Sequence, residues 1–400
     1  MKKFYLKYVL IAFVICSFIL PKTIKAETET TANLEKEHLH LYSEAVILVD
    51  AESGQILYEK NSKEKLPPAS ITKIATAIYA IEKGNINDLV TVSENARNVD
   101  GTRVYLEAGE KVPLKKLIQG LIINSGNDAG VAIAEHLSGS VEQFAEDFNE
   151  FLQQEVGVQN THFSNPHGLY ETEHLTTAED MAKITQYAIQ NQTFRDIFQT
   201  SELKWDGETW DTTLINHHEM VRDKEYEGIT GGKNGFVQEA GFTLVTTAER
   251  ENISLIAVTL NSMYSEQSYE DTTALFNYGF EHFETDQVLR NEKYTDGFEH
   301  SYLVTEDTSF TKRQGETIEK DVSPSGDLIV KGEDQRIITE VELDQVENKE
   351  KNEQMKSEIV TNEDVVNQKR EEYHLSIIVP IAVVTGLFVS LLFYFQIRKV

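Results

Sequence analysis

A serine hydroxyl is a poor nucleophile until a neighbouring base takes its proton. Pro67-Pro68-Ala69-Ser70-Ile71-Thr72-Lys73 supplies such a pair. Ser70 falls at the opening of a helix and Lys73 three residues on, and residues i and i+3 share a helix face, so the Lys73 amine can reach the Ser70 oxygen. A helix N-terminus and burial both favour a lysine that gives up its proton and an oxyanion that is stabilised. The pair alone is weak, because a helix cap followed by a surface lysine has the same sequence. Two further segments strengthen it. Ser125-Gly126-Asn127, inside Ile122-Ile123-Asn124-Ser125-Gly126-Asn127-Asp128-Ala129, falls in a turn between two apolar helical stretches. A serine there can relay protons and an asparagine amide can hold a substrate carbonyl, although helix capping would also explain both. Gly232-Lys233-Asn234-Gly235-Phe236 opens a strand late in the chain. Gly235 lets a substrate backbone lie close and Lys233 supplies charge for an anionic substrate; the plainer reading is a basic residue on an edge strand. His167 and the pair His217-His218 are read as structural, since a serine–lysine mechanism needs no histidine.

These segments need elements to hold them. Residues 45–58 predict a hairpin around Glu52-Ser53-Gly54. From Ser70 to Lys83, Ile71, Ile74, Ile78 and Ile81 recur at helical spacing, and Gly84 sits where a C-cap belongs. Further helices are expected at 114–123, 128–137, 141–156 and 178–190, the last opened by Thr176-Thr177-Ala178-Glu179, a capping-box pattern. Strands return at 231–236, 241–247 and 253–260. A hairpin first, helices in the middle and strands at the end predict an α+β fold: one antiparallel sheet built from both ends of the chain, with helices packed on it. Short alternating runs such as Ser301-Tyr302-Leu303-Val304 predict a small β-rich module over 286–344, and the polar, charge-mixed stretch 345–372 a stalk.

Both ends carry apolar segments. Lys2, Lys3 and Lys7 precede the run 8–20, Pro21 breaks it and Ala26 precedes Glu27, the layout of a secretory signal peptide over 1–26. The stretch 375–395 is uncharged and long enough to cross a bilayer, so a single transmembrane helix is expected over 373–397; Arg398 and Lys399 place its far end in the cytoplasm and the rest of the chain outside. The one cysteine, Cys16, lies in the first apolar run, which excludes a disulfide framework and a cysteine metal site. Asp and Glu number 66 against 37 Lys and Arg, a net charge of −29 that argues against nucleic acid as a partner.

The three segments together, in order and roughly 50 and then roughly 100 residues apart, match the set shared by penicillin-binding proteins and class A β-lactamases. Pro68-Ala69-Ser70-Ile71-Thr72-Lys73, Ser93-Glu94-Asn95-Ala96, Gly109-Glu110-Lys111, Ser125-Gly126-Asn127-Asp128-Ala129 and Thr161-His162-Phe163-Ser164-Asn165-Pro166-His167-Gly168-Leu169 resemble the low-molecular-mass D-alanyl-D-alanine carboxypeptidases, over residues 42–285. The resemblance implies a β-lactamase/transpeptidase-like domain over 27–285, acting on peptidoglycan stem peptides that end in D-Ala-D-Ala and acylated by β-lactam antibiotics. It implies Ser70 as nucleophile, Lys73 as base, Ser125 and Asn127 as proton relay and substrate support, Lys233 as the carboxylate site, and the N–H groups of Ser70 and Phe236 as the oxyanion hole. No metal or cofactor is implied. Asn234 stands where the family carries threonine, which predicts slower removal of D-alanine. Two alternatives stay open: a β-lactamase, with Glu171 or Glu173 activating water, and a non-enzymatic wall-binding protein.

Overall fold

The computed structural model describes residues 39–346, with 369, 386, 387 and 389–391. The expected signal segment and most of the stalk and spanning segment lie outside these. Among the described residues no helix is long and apolar enough to cross a membrane.

The hairpin forms from β1 (Ala45–Asp50) and β2 (Ile56–Lys60). The chain rejoins it late, through β3 (Ile229–Val237), β4 (Gly241–Arg250) and β5 (Ile253–Ser262). The sheet order is β2-β1-β5-β4-β3, antiparallel throughout, with β3 at the edge. All six residues of β1 are buried because both sheet faces are covered. Ala45, Ile47 and Val49 join the core of the helical layer, while Val46 and Leu48 join a second core with Leu275 and Phe276. Strands covered on both faces lose the alternation of a half-buried strand, which is why β1 is an unbroken apolar run.

The helical layer comprises α1 (Thr72–Lys83), α2 (Leu114–Ile123), α3 (Asn127–Ser138), α4 (Val141–Phe151), α5 (Ala178–Ala188) and α6 (Gln192–Phe198). The single helix expected over 141–156 loses α geometry at Phe151 and finishes as a wider π turn, Leu152–Val156, before Gly157 at φ 78°. The cap of α5 is Thr177, whose hydroxyl accepts from Asp180 N, one residue later than the capping pattern predicts. Thr176 is drawn aside by Thr161, hydroxyl to hydroxyl at 2.8 Å. Several elements were not foreseen, helix α6 among them. A ribbon, Glu202–Asp206 with Asp211–Ile215, follows α6. Helix α7 (Ser265–His282) covers the second face of the sheet. Its first half buries Ser268, Asp271 and Thr272 rather than an apolar stripe, so no 3.6-residue hydrophobic period marks it; Asp271 accepts instead from Tyr42 N and Ser43 N, at 2.9 and 2.7 Å.

Strand β6 (Phe283–Val288) runs directly out of α7, so the expected boundary at 285/286 falls inside a strand. It pairs with Thr308–Arg313, and the remaining strands enclose a separate small core of Val288, Val304, Phe310, Leu328 and Val330. The expected stalk start at 345 lies within the last strand, Leu343–Val346. One buried carboxylate joins the module to the main sheet. Asp50 Oδ2 accepts from Thr285 Oγ1 and Thr311 Oγ1, both at 2.7 Å, and its Oδ1 accepts from Glu52 N at 2.9 Å in the hairpin turn. Removing a buried acceptor that serves these donors, of which Thr311 is itself buried, costs about 1–3 kcal/mol. Asp50→Ala is therefore expected to lower the midpoint of urea unfolding, and an unshifted midpoint would show the joint to be unimportant to stability.

Candidate active site

Helix α1 packs against α2, α3, α5 and α6 and is buried from Thr72 through Ala80. Lys73 therefore leaves a helix that has no solvent face at this point, and its exposure is 0%. Ser70 precedes the helix proper, in a single 3₁₀ turn, Ala69–Ile71. Ala69 is strained at φ 51°, and the turn is tied down on both sides. Thr72 Oγ1 donates to Ala69 O and Thr243 Oγ1 of β4 donates to Pro68 O, both at 2.8 Å. Two glycines let other segments close on it. A Cβ at Gly168 would lie 1.9 Å from Ala69 O, and Gly168 also has φ +87°. A Cβ at Gly235 would lie 2.6 Å from Ser70 N. The 165–169 loop and edge strand β3 thus press against the serine from two directions. Lys73 Nζ lies 2.9 Å from Ser70 Oγ and donates to His167 O at 2.5 Å.

Burial holds the Lys73 amine well below the ordinary lysine range; the nearby Lys233 cation pushes it further down, and Asp128 opposes both. Lys233 is also fully enclosed, 1% exposed, and burial pushes it down to about 7. Its Nζ donates to Asn234 O at 2.7 Å. Two amines in one desolvated site disfavour a proton on both. The arrangement therefore sets beside the hydroxyl an amine whose proton is weakly held, with a second amine that is readily charged when an anion enters.

The second segment lies where the sequence places it, with Ser125 at φ 60° between α2 and α3. Asn127 is held differently from expectation. Its backbone N–H donates to Thr102 O and one of its two Nδ2 hydrogens to Asp100 O, both at 2.7 Å, so the 100–106 loop fixes the side chain while the second Nδ2 hydrogen and Oδ1 are not taken by that loop. Asp128 fastens the same loop. Its buried carboxylate accepts from Val104 N at 3.0 Å, Leu106 N at 3.1 Å and Ala129 N at 2.9 Å. In the third segment Gly235 closes on Ser70 N, and Lys233 lies near enough to Lys73 to push its amine down. Asn234 Oδ1 is buried without a hydrogen-bond partner. Phe236 is 56% exposed, its ring 4.5 Å from that of Phe242.

The histidines brace this frame. His174 Nδ1 accepts from Ser164 N at 3.0 Å, which leaves Nε2–H for Thr72 Oγ1 at 2.9 Å, whose own proton goes to Ala69 O. Burial pushes His174 down to about 3, so it stays neutral beneath the nucleophile turn. His218, also pushed down by burial to about 3, bonds Thr246 Oγ1 at 2.9 Å and packs its ring on Gly232. His167 meets Lys73 through its carbonyl, not its ring. Sequence reasoning passed over Asp128 and His174. Asp128 was visible as a lone charge opening an apolar helix; His174 had no local signal.

Comparison with known proteins agrees with this geometry. The family model described as D-alanyl-D-alanine carboxypeptidase matches residues 29–263. The D-alanyl-D-alanine carboxypeptidase DacF of Bacillus subtilis is 32% identical over 297 residues, covering 72% of this chain and 74% of its own length. DacA of Haemophilus influenzae is 33% identical over 272 residues, covering 63% of this chain and 65% of its own, just under two thirds. Among solved structures, penicillin binding protein 5 from Haemophilus influenzae superposes with a TM-score of 0.68 at 27% identity, covering 76% of this chain and 97% of that one. Penicillin binding protein 6B from Escherichia coli does so with a TM-score of 0.64 at 25% identity, covering 76% and 95%. With the family match spanning more than half of its length, this chain belongs to the serine D-alanyl-D-alanine carboxypeptidase family.

Proposed function

We propose that this protein removes the terminal D-alanine from peptidoglycan stem peptides through an acyl-enzyme on Ser70, and that penicillins acylate the same oxygen. The observation that carries this reading is the Lys73 amine 2.9 Å from Ser70 Oγ in a site dry enough to keep it unprotonated. Ser70 Oγ gives its proton to Lys73 as it bonds to the carbonyl carbon between the two D-alanines. The N–H groups of Ser70 and Phe236 take the oxyanion. The C–N bond breaks as the proton, relayed through Ser125, passes to the departing amine. Water then attacks the ester carbonyl and gives a proton to Lys73, which returns it to Ser70 Oγ as the ester C–O bond breaks. Lys233, charged once a carboxylate is beside it, holds the substrate terminus, and Asn127 Oδ1 accepts from a substrate N–H. Glu171 accepts from Asn165 Nδ2 at 2.8 Å, a bond within the 165–171 loop. The uncharged stretch 375–395 supports a catalytic domain displayed outside a cell membrane on a single anchor.

Three outcomes are expected. Mass spectrometry after exposure to a penicillin should find one adduct, on Ser70, and none in Ser70→Ala; an adduct elsewhere contradicts the mechanism. Lys73→Ala should slow acylation by several orders of magnitude and Lys73→Arg should not restore it, because a guanidinium keeps its proton. A fast arginine variant would place the base elsewhere. The third concerns Asn234, whose amide has no partner on Oδ1 to fix which end meets the substrate carboxylate. A weakened charge-assisted bond there costs about 1–3 kcal/mol, or about ten- to hundredfold in rate. Asn234→Thr should raise carboxypeptidase turnover with the fold unchanged; a loss would mark Asn234 as adapted to a different substrate end.

A further inference from the structure

The Asp128 carboxylate accepts from the N–H groups of Val104 and Leu106, the two residues that flank Tyr105. Pinned on both sides, Tyr105 sits at φ 56°, a conformation that a bulky residue rarely adopts. Its ring is not buried in return. It is 52% exposed, edge-on to Trp210 at 4.8 Å in the turn of the Glu202–Asp206/Asp211–Ile215 ribbon, with the Arg103 guanidinium 5.5 Å from its centroid. The loop that carries it also accepts from the Asn127 N–H and from Asn127 Nδ2, through Thr102 O and Asp100 O, so the aromatic pair is fastened directly to the Ser125-Gly126-Asn127 segment. Strain held in place by a buried charge, in order to expose an aromatic ring, is an arrangement that a structural role does not require.

Arg103 adds a second observation. In a chain of net charge −29, Arg97 is paired with Glu107 at 2.7 Å, whereas Arg103, among the described residues, makes no salt bridge: it donates to Arg97 O and feels the buried Asp128 carboxylate only at a distance. An unpaired guanidinium beside an open aromatic ring suits a carboxylate borne on a peptide.

We propose that Tyr105, with Arg103 and Trp210, forms a subsite for an anionic segment of the stem peptide upstream of the D-alanines, and so favours full-length stems over minimal D-Ala-D-Ala substrates. This rests on the carboxypeptidase reading above. Arg103 takes the upstream carboxylate, and Tyr105 packs on the neighbouring aliphatic chain. Asp128 is a positioning residue: it fixes Tyr105 and touches no substrate.

The test compares kcat/KM on diacetyl-L-lysyl-D-alanyl-D-alanine with that on L-alanyl-γ-D-glutamyl-L-lysyl-D-alanyl-D-alanine and on the same pentapeptide with its glutamyl carboxylate amidated. In Tyr105→Ala and Tyr105→Gly the ratio of pentapeptide to tripeptide should fall about tenfold, through KM. Tyr105→Phe should keep it. Tyr105→Gly, relieved of its strained φ, should also unfold at a higher temperature than Tyr105→Ala. Arg103→Gln should lower activity on the pentapeptide with the free carboxylate toward that on its amide. A ratio unchanged in Tyr105→Gly, or no preference for the carboxylate in the unmutated protein, overturns the subsite. If the unmutated protein cleaves none of the three peptides, the carboxypeptidase reading falls, and the subsite with it.

Discussion

The structure turns on one desolvated amine. A lysine is a base for serine only when desolvation outweighs its preference for charge. Here that condition is met by the burial of α1, which is enclosed from Thr72 to Ala80, with helices packed around it. An amphipathic helix in its place would leave Lys73 in water, protonated, with the same spacing to Ser70. The neighbouring Lys233 reinforces the effect, and Asp128 limits it. The catalytic pair is thus a property of the core as much as of the sequence Ser70-Ile71-Thr72-Lys73.

The rest of the domain brings distant segments to that amine at backbone-contact range. Gly168 and Gly235 remove the side chains that would hold the 165–169 loop and β3 away from the serine turn. Placing β3 at the sheet edge leaves one side of its backbone free to meet an extended peptide. Asp128 and the neutral histidines His174 and His218 hold the surrounding loops through bonds to backbone and hydroxyl groups, without adding charge near Lys73 beyond the one carboxylate. The C-terminal module meets the main sheet through Asp50, at the far end of β1 from Ala45.

What was legible in the sequence was what is local. Ser70 and Lys73 announce themselves because i and i+3 on a helix meet whatever the surroundings, and β1 because a doubly covered strand is apolar throughout. The helical spacing of Ile71, Ile74 and Ile78 located α1, though not the 3₁₀ turn that carries Ser70 ahead of it. What was not legible depends on tertiary partners. Helix α7 buries Asp271 because Tyr42 and Ser43, more than two hundred residues away in the chain, donate to it. One hydrogen of the Asn127 amide goes to Asp100 O because the 100–106 loop folds back onto it. His174 reaches Thr72 across 102 residues of chain. None of these pairings has a period or a spacing to detect.

The central claim is that Lys73 is neutral at working pH because it is dry. The direct measurement is an NMR titration of the protein carrying lysine labelled with ¹³C at Cε, with the Lys73 and Lys233 signals assigned by their absence in Lys73→Ala and Lys233→Ala. The account predicts that Lys73 titrates well below 10.5, and that Lys233 does so at about 7. A Lys73 signal that keeps its proton up to the ordinary lysine value of 10.5 would contradict the mechanism at its base.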